Sequence, residues 1–359
     1  MTRIRIENKQ QIYEWLKEDN LDKLADLFIH ADQVRAENVG DEIHLRGLIE
    51  ISNKCPRLCE YCGLNASNKK INRYSLTRDE IFECIKTTTE LGYGTVVMQA
   101  GEDKNFDPEY IAEIVREIKS TTKLAITISL GEWPDSVYQL WKNAGADRYL
   151  LKFETSDRQL FERIHPGSAL HRLEILPQLQ KIGFETGSGV MVGLPGQSFE
   201  TLAQDIMLFA QLNLDMIGVG PFIPDPDTVL GSEPEKYLLD ENNQVPNSEI
   251  MALKAIALTR IMCPNTNLPV TTSLSTLNRQ SGLEKALKCG GNVIMPNITP
   301  LKYRADYQIY PGKASLVEPK VFLIKLTERI EAIGRKISTG RGDSLKYLAK
   351  TERQVQNVP

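Results

Sequence analysis

The chain has 359 residues, 41% hydrophobic and 25% charged, the proportions of a globular protein that can bury a full core. Its net charge of −4, with no basic tail or arginine-rich stripe, gives nucleic acid little to attract, so no nucleic-acid partner is expected. The N-terminus MTRIRIENKQQIYEWLKEDN lacks an apolar signal region and no run of 18 apolar residues occurs, so a cytoplasmic protein without a membrane partner is expected.

Residues 8–36 place Ile12, Leu16, Leu21, Leu24, Leu27 and Phe28 at helical spacing and predict two short helices. From residue 42 the pattern changes to strand-length apolar runs at 43–51, 95–99, 124–129, 148–153, 184–193, 216–220, 268–272 and 292–295. Amphipathic stretches lie between them, with helices expected near 79–91, 108–120 and 135–144. Eight strands with helical connections, buried on both faces, fit one closed parallel sheet. The expected fold is therefore α/β, a (β/α)8 TIM-type barrel over 42–300 with an N-terminal helical extension, 1–41, and a C-terminal barrel-closing segment and helix, 301–359. A doubly wound open sheet is the alternative.

The Pro-rich, acidic segment 221–248 follows the sixth strand, at the end where a barrel keeps its functional loops. In the tail, one helix is expected near 319–335, and the polar end TGRGDSLKYLAKTERQVQNVP is read as exposed, its RGD at 341–343 without significance.

CPRLCEYC, residues 55–62, sets Cys55, Cys59 and Cys62 directly after the first strand, on the face where barrel enzymes build active sites. Three thiolates leave a metal centre one ligand short, and on a four-iron cube the uncoordinated iron is a reaction site. Zinc held by three thiolates and a histidine or water competes, but none of His30, His44, His165 and His171 lies close to the motif in sequence. Cys84, Cys263 and Cys289 are scattered and read as buried, reduced side chains.

CxxxCxxC with Tyr61 before its last cysteine resembles the signature of the radical S-adenosylmethionine (SAM) superfamily. IEISNKCPRLCEYCGL, QAGED (99–103), SLGEWP (129–134), AGADRYLL (144–151), ETGSGVMVGLPGQ (185–197), GVGPFIPDPDT (218–228) and NVIMPNITP (292–300) resemble the HydE-type FeFe-hydrogenase maturase family in the family's own order. The resemblance implies a 4Fe–4S cluster on the three cysteines, SAM on the open iron, and reductive cleavage to a 5'-deoxyadenosyl radical. It also implies an electron donor such as ferredoxin or flavodoxin, other hydrogenase maturases as partners, and an iron dicarbonyl cyanide cysteine complex as the organometallic substrate. Residues 310–330 contain no cysteine, so one cluster only is expected.

For SAM, the resemblance implies contacts from Tyr61, Ala100, Gly101, Glu102, Asp103, Lys152, Glu154, Arg172, Met191 and Tyr303. Gly101 allows close backbone approach, Glu154 suits ribose hydroxyls, and Lys152 or Arg172 suits the methionyl carboxylate. A rim salt bridge is the plainer reading of the Lys152–Glu154 stretch, and ordinary core that of Met191. The family commonly carries Arg-His-Glu-Thr where this chain has Lys152, Phe153, Glu154 and Thr155, and lysine does not reproduce a bidentate arginine fork.

A substrate cavity is expected from Arg46, Gln99, Thr127, Arg148, Met216, Thr271, Thr272 and Ser273. Arg46 and Arg148 lie in buried strands, so each either pairs with a carboxylate such as Glu50 or Glu154 or holds an anionic ligand; parity puts Arg46, Leu48 and Glu50 on one face. Rival functions are a methylornithine-synthase-like mutase, a biotin-synthase-like sulfur enzyme, and a cluster-carrying scaffold that cleaves nothing.

Overall fold

A computed structural model describes residues 4–168, 170–313 and 316–349. The apolar runs become the strands β1 (Glu42–Ser52), β2 (Thr95–Ala100), β3 (Ala125–Ser129), β4 (Arg148–Leu150), β5 (Glu185–Val192), β6 (Met216–Pro221) and β7 (Val293–Ile294). They pair in the order β6-β5-β4-β3-β2-β1-β7, every named pair parallel, in a sheet curled into a half-barrel with helices packed against it. Ile49 and its neighbour Glu50 in β1, and Val96 and its neighbour Val97 in β2, are fully buried, so both faces of these strands are in the interior, and the runs are near-continuously apolar.

Three expected strands come out markedly shorter, the last of them, read over 292–295, keeping only Val293 and Ile294. The run at 268–272 forms single bridges, Met216 to Asn267, Val219 to Val270 and Pro269 to Val293, because Pro269 has no N–H to extend a ladder. The backbone still donates from Ile217 to Asn267 (2.9 Å) on one side and from Val270 to Val293 (2.9 Å) on the other. β4 stops at Leu150, three residues before Phe153, and Glu154 then turns with φ +64°.

The N-terminal helices Lys9–Lys17 and Leu21–Val39 pack on the helices Phe199–Gln211 and Glu249–Met262, burying Ile12, Leu16 and Leu27. Asn8 and Asn20 cap them by accepting from the N–H groups of Gln11 and Asp22. The tail forms the expected helix, Pro319–Ala332, then a strand no pattern announced, β8 (Lys336–Ser338), parallel to Glu42–His44.

Residues 341–344, read from sequence as exposed, instead run beneath the N-terminal ends of the strands. Asp343 bonds to Arg148 and Arg341, the Ser344 N–H donates to Glu185 (2.7 Å), and the Gly342 carbonyl accepts from Arg46 (3.0 Å) and Asn267 (3.1 Å). The buried strand arginines need partners: the tail gives Arg46 a carbonyl and Arg148 a carboxylate, beside the Glu185 carboxylate of β5. Residues 350–359 lie outside the described residues. Among the described residues no helix is long and apolar enough to cross a membrane.

Candidate active site at the C-terminal ends of the strands

The loop that leaves β1 is fixed before any ligand arrives. Asn53 donates to the carbonyls of Asn72 and Asp306 (both 2.7 Å), and Arg73 donates to those of Asn53 (2.7 Å), Leu64 (2.8 Å) and Asn65 (2.7 Å). Further along, Glu60 N–H reaches Ile164 (2.9 Å) and Gly63 N–H reaches Ile309 (3.0 Å). Gly101 packs against this loop so closely that a Cβ would stand 2.5 Å from the Lys54 carbonyl and 2.8 Å from Cys55 Cβ.

Cys55, Cys59 and Cys62 all face one cavity of about 350 Å³. Burial raises all three thiol pKa values, that of Cys62 to about 12, so without a ligand they are protonated at neutral pH and a metal centre must displace the protons. Four thiolates around zinc stand roughly 3.8 Å apart, from a Zn–S bond of about 2.3 Å. Among the described residues the one His/Cys/Asp/Glu group with ligand atoms within 4.8 Å of one another is Glu102, Glu132 and His165, so the cysteine sulfurs are spread wider than a single ion's shell. That spread fits a multi-iron cluster.

Glu102, Glu132 and His165 are not an open metal site, because two arginines already fill them. Arg57 donates to Glu102 (2.6 Å) and Glu132 (2.9 Å), and Arg172 donates to Glu132 (2.8 Å) and Glu102 (3.1 Å). Burial opposes the charge on Glu132, but Arg172, then the Ser168 hydroxyl and Arg57, outweigh it and hold its carboxyl below the usual range. Burial, then Arg172, lowers the His165 pKa to about 3, so the ring is neutral. Its Nε2 lies 3.2 Å from Glu132, which only accepts, so Nδ1 carries the lone pair and accepts from the Cys59 thiol at 3.0 Å.

Of the expected SAM contacts, Tyr61, Ala100, Gly101, Glu102, Lys152, Glu154, Arg172 and Met191 line the cavity. Lys152 donates to Glu154 at 2.9 Å, and the Arg172 Nη1 donates to the Lys152 carbonyl at 3.0 Å. A non-glycine residue at φ +64° costs about 1–3 kcal/mol, a strain that collects at functional sites. Asp103 and Tyr303 do not line it. Asp103 accepts from Ser52 (2.7 Å), while Tyr303 stacks on Tyr74 (4.5 Å) and bonds Glu80 (2.9 Å). Phe153 is also elsewhere, fully buried against Phe209.

Of the expected substrate residues, Gln99, Thr271, Thr272 and Ser273 line the cavity, and Arg46, Thr127, Arg148 and Met216 do not. Arg46 lies near the tail with Met216 Sδ at 2.8 Å, and Arg148 bonds Glu185 at 2.9 Å; both sit at the other end of the sheet. Strand parity gives the side a residue faces, not its height, and Arg46 is four residues, about 13 Å, below Glu50. Sequence reading also missed Arg57, Glu132 and His165 around the cysteine loop, and Tyr307, Ile309, Tyr310 and Lys313 in the wall. The signal for the first was present, an arginine inside the cysteine motif itself.

A parallel α/β sheet with three thiols opening on a cavity at its C-terminal ends is the arrangement of a radical SAM enzyme. Residues 49–230 match the Radical SAM superfamily, and the chain belongs to it. Within that class it falls in the HydE-type maturase family: it is 44% identical over 312 residues, 86% of each chain, to the FeFe hydrogenase maturase subunit HydE of Thermotoga maritima. The fold is shared with methylornithine synthase, PylB (TM-score 0.78, 24% identity, covering 92% of this chain and 94% of that one). It is shared also with the FeFe-hydrogenase maturase HydG from Carboxydothermus hydrogenoformans (TM-score 0.76, 20% identity, covering 98% and 82%).

Proposed function

We propose that this enzyme processes a small iron dicarbonyl cyanide cysteine complex into a precursor of the FeFe-hydrogenase diiron centre, using SAM and one 4Fe–4S cluster. The observation that carries the reading is that the three thiols share one cavity with the blocks that resemble the HydE family. We also read 267–270 as the eighth member of a closed (β/α)8 barrel over 42–300, with 1–41 and 301–359 as accessory segments; the bonds from Ile217 and Val270 to its two sides support this.

Cys55, Cys59 and Cys62 would hold the cluster. When bound, cluster and SAM supply one-electron cleavage to a 5'-deoxyadenosyl radical. Glu154, Lys152 and Arg172 line the cavity, where Glu154 would accept from ribose hydroxyls and the two cations would take a carboxylate. Ala100 and Gly101 line the part of the cavity that would receive an ammonium, and Thr271, Thr272 and Ser273 would offer hydroxyls to the second substrate. The walls include the apolar Leu48, Phe222 and Ile309, which would keep water from the reacting groups once SAM and substrate fill the cavity. An electron donor of the ferredoxin or flavodoxin kind belongs to this reading, as do other hydrogenase maturases that supply the complex.

Anaerobically reconstituted enzyme, mixed with reductant, SAM and the iron complex and freeze-quenched, is expected to give a new low-spin iron radical in its paramagnetic resonance spectrum. The Cys59→Ala variant is expected to give none. SAM cleavage without that signal would leave the radical chemistry standing and point to a different small molecule, as in a methylornithine-synthase-like mutase. Iron binding without release of 5'-deoxyadenosine would make the protein a scaffold.

A further inference from the structure

We infer that Lys313 binds a carboxylate of the second substrate and so sets which substrates the cavity takes; this rests on the reading that the cavity receives a small molecule beside SAM. Four cations line the cavity among the described residues: Arg57, Lys152, Arg172 and Lys313. The first three belong to one network with Glu102, Glu132 and Glu154. Lys313 stands apart from it. It lies six residues after Tyr307, and its ammonium pairs with Glu50 and lies 4.7 Å from the centre of the Tyr307 ring.

The pair is buried, Lys313 at 5% side-chain exposure and Glu50 at 0%. A buried ion pair gives little net stability compared with apolar side chains of similar size, so stability alone does not account for it. Its two members differ in what they offer. Glu50 has one carboxylate oxygen on Lys313 and the other on Asn297 (2.9 Å), and does not line the cavity. Lys313 does line it, and an ammonium has three donors, of which Glu50 takes one.

Hydroxyls that suit a carboxylate's second oxygen line the same cavity. Tyr310, three residues earlier, shares a 2.7 Å hydrogen bond with Thr272, beside Thr271 and Ser273. Glu50 balances the lysine while the cavity is empty and restrains its stem, so an arriving carboxylate meets a cation that is already placed. A compact ammonium, unlike a planar guanidinium, makes no demand on the carboxylate's orientation. The ligand class is a small molecule bearing a carboxylate, such as a metal-bound or free amino acid.

The test is the concentration dependence of turnover in reconstituted holoenzyme with saturating SAM, using the iron dicarbonyl cyanide complex of cysteine and that of cysteinamide, which lacks the carboxylate charge. Lys313→Met is expected to raise the half-saturating concentration of the cysteine complex about tenfold or more, the scale of a lost charge-assisted hydrogen bond, with little change in maximal rate. Lys313→Arg is expected to recover most of that loss. Wild type is expected to bind the cysteinamide complex as weakly as Lys313→Met binds the cysteine complex. If Lys313→Met alone fails to load iron because Glu50 is left unpaired, Glu50→Gln/Lys313→Met, which buries no lone charge, carries the comparison. Equal half-saturation in wild type and variant, or equal binding of the two complexes by wild type, overturns the inference alone. A wild type that turns over neither complex overturns the proposed function, and the inference with it.

Discussion

Asp205 shows how one side chain far from the chemistry shapes the site. It is fully buried in the helix Phe199–Gln211 and accepts from the Ser156 N–H (2.7 Å) and from Gln197 (3.5 Å), fixing the turn that carries Glu154. Burial pushes its carboxyl up to about 7, against an ordinary value near 4 in the unfolded chain. A raised carboxyl pKa means that the folded state holds a proton the unfolded state has lost. The stability it contributes is therefore full below about pH 4 and lost as pH rises through 7, by at most about 1.4 kcal/mol per pH unit. Urea unfolding of wild type and Asp205→Asn at pH 5 and pH 8 measures this: wild type is expected to lose stability relative to the variant at the higher pH. A constant difference between the two proteins would show that Asp205 is ionised in the fold.

At the scale of elements, the helix Arg78–Glu90 links the cysteine side of the sheet to the tail through its first turn. Thr77 and Glu80 form a capping box, and Glu80 also takes Lys302 (2.7 Å) and Tyr303 (2.9 Å). Thr77→Ala is expected to cost about 1 kcal/mol, read as a lower thermal midpoint with iron loading unchanged. This helix, like the strands β1, β2, β3, β5 and β6, was legible to within a few residues, because helical spacing on one side and unbroken apolar runs on the other are dictated by which faces are buried. What failed is what those periods do not encode. Pro269 keeps an apolar run from becoming a ladder, β8 is three residues in a polar context, and the height of Arg46 in the interior depends on where the sheet is filled. The cysteine loop was legible because ligand spacing is local; the arginine, glutamate and histidine around it come from four separate segments and meet only in the fold.

Across the whole molecule, the two ends of the sheet do different work. The C-terminal ends hold the thiols and the cavity, while the N-terminal ends are closed by the returning tail, which places Asp343 against Arg148 and the Ser344 hydroxyl against Asp215 (2.5 Å). The tail can come this near only because Gly94, at the start of β2, has no side chain: a Cβ there would stand 2.0 Å from the Gly340 carbonyl oxygen and 2.9 Å from Arg341 Cα. Both neighbours are backbone and cannot swing aside. Gly94→Ala is therefore expected to displace the segment, with a loss of about 1–3 kcal/mol, the usual cost of overpacking, and faster proteolytic cleavage after residue 338. Gly340→Ala is the matched control, since a Cβ at that position meets nothing nearer than Ser338 Oγ at 3.6 Å. Guanidinium unfolding and limited proteolysis of the two variants decide the matter: if they behave alike, the close approach is not what holds the tail. A selective defect in Gly94→Ala would make the tail part of the closed interior, pinning Arg46 and Arg148 so that their charges stay out of the reaction cavity.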